Sequence, residues 1–179
     1  MDLSFLDRNA APAVVAESAR LILRPVALDD APFLLRLLNQ PSWLQYIGDK
    51  KVRTLADAEN YVRTGPMEMV RKHGFALNVI ELKAGAVAIG LCGMVKRDAL
   101  PDPDIGFALL DEYAGKGYAL EAARAVVHHA RTRLGISRML AITTPANDRS
   151  GKLLLKLGFK PEGTVRLSPD AEELNLYAA

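Results

Sequence analysis

A glycine-containing turn has the residue types and spacing best suited to chemistry. Its residues, 113–119, are Tyr113, Ala114, Gly115, Lys116, Gly117, Tyr118 and Ala119. Two glycines in a tight strand-to-helix turn allow successive backbone N–H groups to point at one spot, where the helix dipole also favours negative charge. Lys116 adds positive charge at the rim. The turn, called the phosphate turn below, therefore predicts a pyrophosphate cradle, although an isolated G-x-G also occurs in ordinary turns.

A dinucleotide-binding fold is the rival explanation of two closely spaced glycines. Its fingerprint needs a third glycine and an acidic residue that closes the next strand. Position 120 is Leu, and the next predicted strand ends at Thr143 and Thr144. The sequence meets neither requirement, so it does not indicate a nicotinamide dinucleotide site.

The elements that must position this turn follow from apolar periodicity. Residues 119, 122, 123, 126, 127, 130 and 134 are apolar, which is the spacing of an amphipathic helix. Further patterns and cap residues predict helices over 29–38, 54–72, 117–134 and 147–158, and strands over 19–26, 75–81, 87–95, 104–110, 138–144, 159–167 and 172–177. The sequence shows no internal repeat, so we expect one mixed α/β domain.

A second motif follows the phosphate turn by about 30 residues. Residues 147–150 are Asn-Asp-Arg-Ser, and residues 155–159 are Leu-Lys-Leu-Gly-Phe. Together with the turn and with Asp-Ile-Gly-Phe at 104–107, they resemble in order and spacing the GNAT superfamily of acyl-CoA N-acyltransferases, in particular its RimJ/RimL-like branch. The resemblance covers roughly residues 19–178.

The resemblance implies a single GNAT-like α/β domain. Its mixed, mostly antiparallel twisted sheet is flanked by helices and splayed between the fourth and fifth strands, which part after Leu110. The pantetheine arm of acetyl-CoA inserts into that opening. The cofactor residues that the resemblance implies are Phe107, Ala108 and Leu109 on the strand, residues 113–119 in the turn, and Asn147 beside the thioester. Lys152 falls where similar proteins place a basic residue near the adenosine 3′-phosphate, or it is only a solvated helix charge.

Two residues depart from the pattern of the superfamily. Ala114 occupies a position that often holds Arg or Gln, so one side-chain contact is lost while the backbone contacts remain. Leu154 lies where many relatives carry a Tyr that protonates the departing thiolate. The RimJ/RimL-like branch commonly lacks this acid as well.

The candidate catalytic residues are Asp104, Asn147 and Ser150. Acyl transfer to an amine needs a neutral amine and a proton for the thiolate. Asp104 lies at the end of the splayed strand where a base is needed, and a relay water would extend the reach of its short side chain. The alternative is that Asp104 is a plain surface residue. Ser150 could help to protonate the thiolate, or it only follows the Asn147 cap in the first helical turn.

The resemblance places the acceptor pocket between residues 40–48 and 166–171. Trp43 and Tyr46 either line this pocket or belong to the core. The acceptor is a primary amine, belonging to a protein or peptide N-terminus or to a small molecule. The alternative is a catalytically weak acyl-CoA-binding sensor or partner module of the same fold.

Composition excludes several other classes. The formal net charge is +2 in 179 residues, too low for sequence-independent nucleic-acid binding. The longest apolar run, residues 84–95, is shorter than the roughly 20 residues of a membrane span. The single cysteine, Cys92, lies in that run and is expected to be a core thiol. No clustered ligand spacing indicates a catalytic metal.

The N-terminal segment lacks the features of a secretory signal. We therefore expect a flexible leader over residues 1–17, an N-acetyltransferase domain over 18–179, a cytoplasmic location, and a monomer or homodimer.

Overall fold

The structure, a computed structural model, describes residues 13–179, in which helices flank an eight-stranded sheet. The strands are β1 Ala16–Glu17, β2 Leu21–Pro25, β3 Leu77–Leu82, β4 Val87–Val95, β5 Asp104–Leu109, β6 Leu140–Thr143, β7 Lys160–Val165 and β8 Leu174–Ala178. The helices are α1 Ala31–Leu37, α2 Pro41–Tyr46, α3 Leu55–Val62, α4 Glu68–His73, α5 Tyr118–Thr132 and α6 Asp148–Lys156.

The sheet is mixed and mostly antiparallel, which confirms the predicted fold class. Its strand order is β1-β2-β3-β4-β5-β6-β8-β7, and β5–β6 is the parallel pair. β3 and β4, consecutive in the chain, pair antiparallel with a register shift at Ile80/Glu81. The parallel pair is the point at which the two halves of the sheet meet.

Two apolar clusters lie on opposite faces of the sheet. One joins α5 and α6 to the sheet through Val126, Leu154 and Phe159. The other joins α1, α2 and α3 to the opposite face through Leu34, Trp43 and Val62. Side chains alternate along β5 between these clusters, since Ile105 packs in the first and Ala108 in the second.

The predicted helix over 54–72 is interrupted, which corrects that prediction. It consists of α3, a π-helical turn at Arg63–Met67, and α4. Pro66 lies inside the turn, and proline has no backbone N–H to continue the α-helical ladder. An additional helix, α2, follows α1, and Pro41 occupies its first turn, where proline is favoured.

Asp30 is the N-cap residue of α1, but its side chain does not cap the helix. Its carboxylate instead accepts two hydrogen bonds of 2.9 Å from Arg24 and one of 2.8 Å from the Ala27 amide. A buried guanidinium with rigid paired donors holds the carboxylate more strongly than a helix terminus does.

The N-terminal segment continues the sheet by one short strand. Within the predicted leader, β1 pairs with β2 through Ala16↔Leu23 and Glu17↔Ile22. The first twelve residues of that leader lie outside the described part of the chain. Across residues 13–179, no helix combines the length and apolarity that crossing a membrane requires.

Candidate active site

The phosphate turn has the backbone conformation that its two glycines allow. A 3₁₀ turn at Asp111–Tyr113 leads into it, and Ala114 is extended at φ −68° and ψ 154°. Gly115 and Gly117 have φ angles of +77° and +84°, in the left-handed region where a side chain is costly. Gly117 is the N-cap of α5, so the turn delivers the chain directly into the helix.

The turn leaves a run of backbone donors without partners inside the protein. Glu121 donates the first amide bond of α5, to the Gly117 carbonyl at 3.1 Å, so the amides of residues 118–120 precede the helical ladder. Within residues 13–179, the amides of residues 115–117 donate to no backbone carbonyl. Consecutive free N–H groups at the positive end of a 15-residue helix form an anion site.

A cation that the sequence did not indicate lies beside this turn. A Cβ atom built on Gly115 would be 3.4 Å from Arg149 Nη2, so the guanidinium stands next to the glycine backbone. Arg149 lies in the first turn of α6, within the Asn-Asp-Arg-Ser motif. The Asn-Asp-Arg-Ser motif marks this segment in the sequence. However, no local sequence pattern shows that a side chain of α6 reaches the phosphate turn. Lys152, the cation that was singled out, is exposed on α6.

An opening between β5 and β6, called the wedge below, starts at the N-terminal end of β5. The two strands pair at the single register Asp104↔Leu140, with a further bond of 2.9 Å from the Leu140 amide to the Pro103 carbonyl. The separation was expected after Leu110 and begins six residues earlier. In the described chain, the β6-facing edge of β5 after Asp104 is therefore unpaired. Phe107, Ala108 and Leu109 lie along this edge, although the Leu109 carbonyl already accepts from Gln40 Nε2 at 2.6 Å.

Buried hydroxyls at the end of β6 have no protein partner. Thr143 Oγ1 and Thr144 Oγ1 are shielded from solvent and make no hydrogen bond within residues 13–179. A buried polar group left without a partner costs about 1–3 kcal/mol, so such groups mark places where a ligand or water supplies one. Sequence reasoning used these threonines only to reject the nicotinamide cofactor.

Asp104 is a buried carboxylate in an ion pair, which corrects the alternative of a plain surface residue. Its side chain is 1% exposed, and Arg97 Nε donates to its two oxygens at 3.0 and 3.2 Å. Burial raises the pKa of Asp104 above its ordinary value, and the attraction of Arg97 opposes that rise. By strand alternation Asp104 lies on the same face of β5 as Ala108, which packs towards α1–α3.

Asn147 and Ser150 are joined by a helix cap. Asn147 Oδ1 accepts from the Ser150 amide at 3.1 Å, so the predicted cap of α6 is confirmed. Close by, a Cβ atom on Gly151 would lie 2.8 Å from the Tyr177 hydroxyl, which approaches the helix backbone closely. Leu154 is fully buried below this turn.

The aromatic pair proposed for the acceptor pocket lies on α2. Trp43 is 3% exposed and packs in the second apolar cluster, whereas Tyr46 is half-buried near the end of the helix. The Trp43 indole N–H has no partner within residues 13–179. Cys92 is fully buried, which raises the pKa of its thiol and confirms it as a core residue. Residues 13–179 contain no group of three or more His, Cys, Asp or Glu side chains arranged to hold a metal.

The sheet is mixed and opens between β5 and β6 beside the phosphate turn, which is the arrangement that the resemblance to the GNAT superfamily implied. Residues 20–160 match the family described as the acetyltransferase (GNAT) domain, and the chain belongs to that family. The enzyme class is therefore acetyltransferase, and the predicted membership of the GNAT superfamily is confirmed, with neighbours that are consistent with the RimJ/RimL-like branch.

Individual relatives agree with this assignment. The chain is 29% identical over 153 residues to the uncharacterized N-acetyltransferase YoaA of Bacillus subtilis, covering 85% of this chain and 86% of that protein. A shorter match, 37% identical over 62 residues, covers 35% of this chain and 32% of the ribosomal protein uS5-alanine N-acetyltransferase of Escherichia coli. The fold superposes on RimL, the ribosomal L7/L12 alpha-N-protein acetyltransferase, in complex with coenzyme A, with a TM-score of 0.76 at 19% identity over 93% of this chain and 97% of that one.

Proposed function

We propose that this enzyme transfers the acetyl group of acetyl-CoA to a primary amine by direct transfer in a ternary complex, and that its preferred acceptor is the α-amine of a protein or peptide N-terminus. One observation carries the proposal: the unpaired edge of β5 ends at a turn whose amides are free to bind phosphate. An extended arm with an anionic end fits this combination, and acetyl-CoA is such a molecule.

The chain's own residues suit each part of the donor. The amides of residues 115–120 and the Arg149 guanidinium would hold the pyrophosphate, and the edge of β5 would hydrogen-bond the pantetheine arm. Thr143 and Thr144 offer buried hydroxyls at the facing end of β6. Bound acetyl-CoA supplies a thioester carbonyl, and a β5 backbone N–H would polarise it.

The groups that we assign to proton transfer are Asp104, Asn147 and Ser150. In the reaction a C–N bond forms, the thioester C–S bond breaks, one proton leaves the amine, and the thiolate takes one up. We assign the first proton to Asp104, directly or through a relay water, because burial raises its pKa towards the range of a useful base. The ion pair with Arg97 must loosen or be bridged by water for Asp104 to act. Asn147 and Ser150 are the polar residues assigned to the thiolate side.

The acceptor preference follows from this proton chemistry. An α-amine has an ordinary pKa near 8, whereas that of a Lys side chain is near 10.4, so more of the α-amine is already neutral at physiological pH. A site without a strong base therefore favours α-amines. The names of two relatives, the uS5-alanine N-acetyltransferase and the alpha-N-protein acetyltransferase RimL, point to the same class of acceptor. Tyr46, which is half-buried near the end of α2, would contribute to the wall of the acceptor pocket, while Trp43 packs in the core behind it.

Turnover of matched peptides tests the proposal. A peptide with a free N-terminus and no Lys is compared with an Nα-blocked peptide that carries one Lys, with release of free thiol as the readout. Faster turnover of the α-amine peptide is expected. A preference for Lys would overturn the acceptor assignment, and acetyl-CoA binding without turnover of any amine would support the sensor alternative.

A further inference from the structure

A side chain from the opposite end of the sequence contacts the phosphate turn. Arg20, just before β2, donates from Nη1 to the Lys116 carbonyl at 3.2 Å. Its guanidinium carbon lies 4.3 Å from the centroid of the Tyr118 ring. A Cβ atom on Gly117 would be 3.4 Å from Arg20 Nη2, so the arginine lies against the turn along three consecutive residues.

Arg20 is itself fixed by Glu121 in the first turn of α5. Glu121 accepts from Arg20 Nε at 2.7 Å and from the Arg20 amide at 2.9 Å, and its carboxylate lies 2.7 Å from Nη2. The Ser18 hydroxyl donates to the same carboxylate at 2.7 Å. Burial raises the pKa of Glu121, but the bonds from Ser18 and Arg20 outweigh this effect and hold it below its ordinary value. The carboxylate is therefore ionised and bound to the arginine.

The contact with Lys116 sets the direction of a neighbouring donor. The carbonyl of Lys116 and the N–H of Gly117 belong to one planar trans peptide, in which the two bonds point in opposite directions. When Arg20 holds the carbonyl on its own side, the Gly117 N–H must point to the other side. Rotation of this peptide depends on ψ of Lys116 and φ of Gly117, and the second angle is little restricted because glycine has no steric preference for one sign of φ.

Charge in the first helical turn supplies a second reason for the contact. An ionised Glu121 stabilises an empty helix N-terminus, yet it repels a phosphate bound at the same place. Its multiple bonds with Arg20 offset that negative charge. The arginine therefore both orients a phosphate-binding donor and removes an electrostatic obstacle beside it.

We propose that Arg20 is a positioning residue of the phosphate turn, held by Glu121, which fixes the Lys116–Gly117 peptide so that the Gly117 N–H faces the pyrophosphate of the acyl donor. The proposal rests on acetyl-CoA being the donor. Nε, Nη1 and Nη2 of Arg20 each contact Glu121 or Lys116, and the Tyr118 ring centroid lies 4.3 Å from its guanidinium carbon, so we assign its effect to the turn and not to a direct phosphate contact. Its effect reaches the donor through the backbone.

Three variants separate geometry from charge. Arg20→Gln removes both, whereas Arg20→Lys keeps the charge but replaces a planar fork by one ammonium group that cannot span Glu121 and the Lys116 carbonyl. Arg124→Gln is the matched control, because Arg124 borders the same surface depression as Gly117 and Arg20 and its loss removes one positive charge near the turn. Coenzyme A affinity is measured by calorimetry, and rates are measured with acetyl-CoA and with S-acetylpantetheine, which lacks the pyrophosphate.

Both Arg20 variants are expected to weaken coenzyme A binding by about tenfold, the effect of misaligning one charge-assisted hydrogen bond. Arg124→Gln should stay within about twofold of the parent protein, and so should the kcat/KM of every variant for S-acetylpantetheine. In the ligand-free protein, the NMR order parameter of the Gly117 amide should fall in the Arg20 variants alone, because the peptide loses its restraint.

Other results overturn the inference. An Arg20→Lys variant with parental affinity would show that charge suffices, and equal losses in Arg20→Gln and Arg124→Gln would show a general field effect. A parallel loss with S-acetylpantetheine would show a structural defect. An unaltered order parameter of the Gly117 amide would refute the peptide restraint. If the parent protein bound no coenzyme A, the proposed function would fail, whereas the order-parameter measurement would still decide the role of Arg20.

Discussion

Substituting Gly117 by Ala tests whether the phosphate turn works through its backbone. The φ angle of +84° places Gly117 in the left-handed region, where an L-residue costs about 1–2 kcal/mol. The added Cβ would meet Arg20 Nη2 at 3.4 Å, which is an ordinary van der Waals contact. Since about 1 kcal/mol lowers the Tm of a domain of this size by roughly 2–4 °C, the variant should remain folded with a Tm reduced by about 2–8 °C.

The effect on coenzyme A should exceed this loss of stability. Relief of the strained φ angle rotates the peptide units on either side and misdirects their N–H groups. A hydrogen bond to a charged group contributes about 1.5–3 kcal/mol, so losing the alignment of one donor should raise the Kd by about 10- to 100-fold. The loss of coenzyme A affinity is therefore specific to the phosphate turn. The loss of stability is the one expected for an alanine at any glycine with a positive φ angle.

Gly135→Ala provides the matched control. Gly135 follows α5 at φ +67°, and a Cβ atom there would meet nothing within 4 Å, so its substitution imposes similar strain far from the turn. Calorimetric titration with coenzyme A and thermal melts of both variants form the assay. Equal Tm losses with weakened binding in Gly117→Ala alone are expected. Unchanged affinity in a folded Gly117→Ala protein, or equal binding losses in both variants, would refute the assignment of the turn.

Three further predictions concern the other polar groups. Asp104→Asn should lower turnover by about 10²-fold or less, with partial recovery as the pH rises because the acceptor amine then loses its own proton; parental rates at every pH would contradict its role as base. Gly151→Ala should destabilise the protein by about 1–3 kcal/mol through overlap with the Tyr177 hydroxyl, but be neutral or stabilising in a Tyr177→Phe background; urea unfolding of all four proteins checks the cycle. Since the pKa of Glu121 is lowered on folding, its contribution is present above the unfolded value near 4.3 and lost as the pH falls through its folded value. The stability gap between the parent and Glu121→Gln should therefore close in acid, and a gap that persists there would contradict the ion pair.

Features built from local backbone were predictable from sequence. The amphipathic spacing after residue 117 predicted α5 within two residues at its C-terminus, and the two glycines predicted the turn before it. Asn147 was recognised as the cap of α6 because its partner is the Ser150 amide, three residues away. Each of these features depends on side chains and φ angles within one or two turns of chain, which sequence patterns report directly.

Features that depend on contacts between distant segments were missed. Arg149 reaches the turn from another helix, and the burial of Asp104 depends on packing around the end of the wedge. The broken helix at Pro66 shows a different limit, because the prediction extended one helix through Pro66 although proline lacks the backbone N–H that the α-helical ladder needs there.

The phosphate turn combines both kinds of feature, and this determines how its variants should behave. Its free amides follow from local sequence, but the direction of one of them depends on Arg20, which is 96 residues from the Lys116 carbonyl that it holds. A glycine substitution therefore alters the donors themselves, whereas an Arg20 substitution leaves their φ angles allowed and removes only the restraint. Glycine tolerates either sign of φ, so the backbone of the phosphate turn is not oriented by its own sterics. A contact from outside the turn is needed to fix the direction of its N–H groups. The position of Arg20 at the start of β2, beside the N-terminus of α5, supplies that restraint from the rigid sheet.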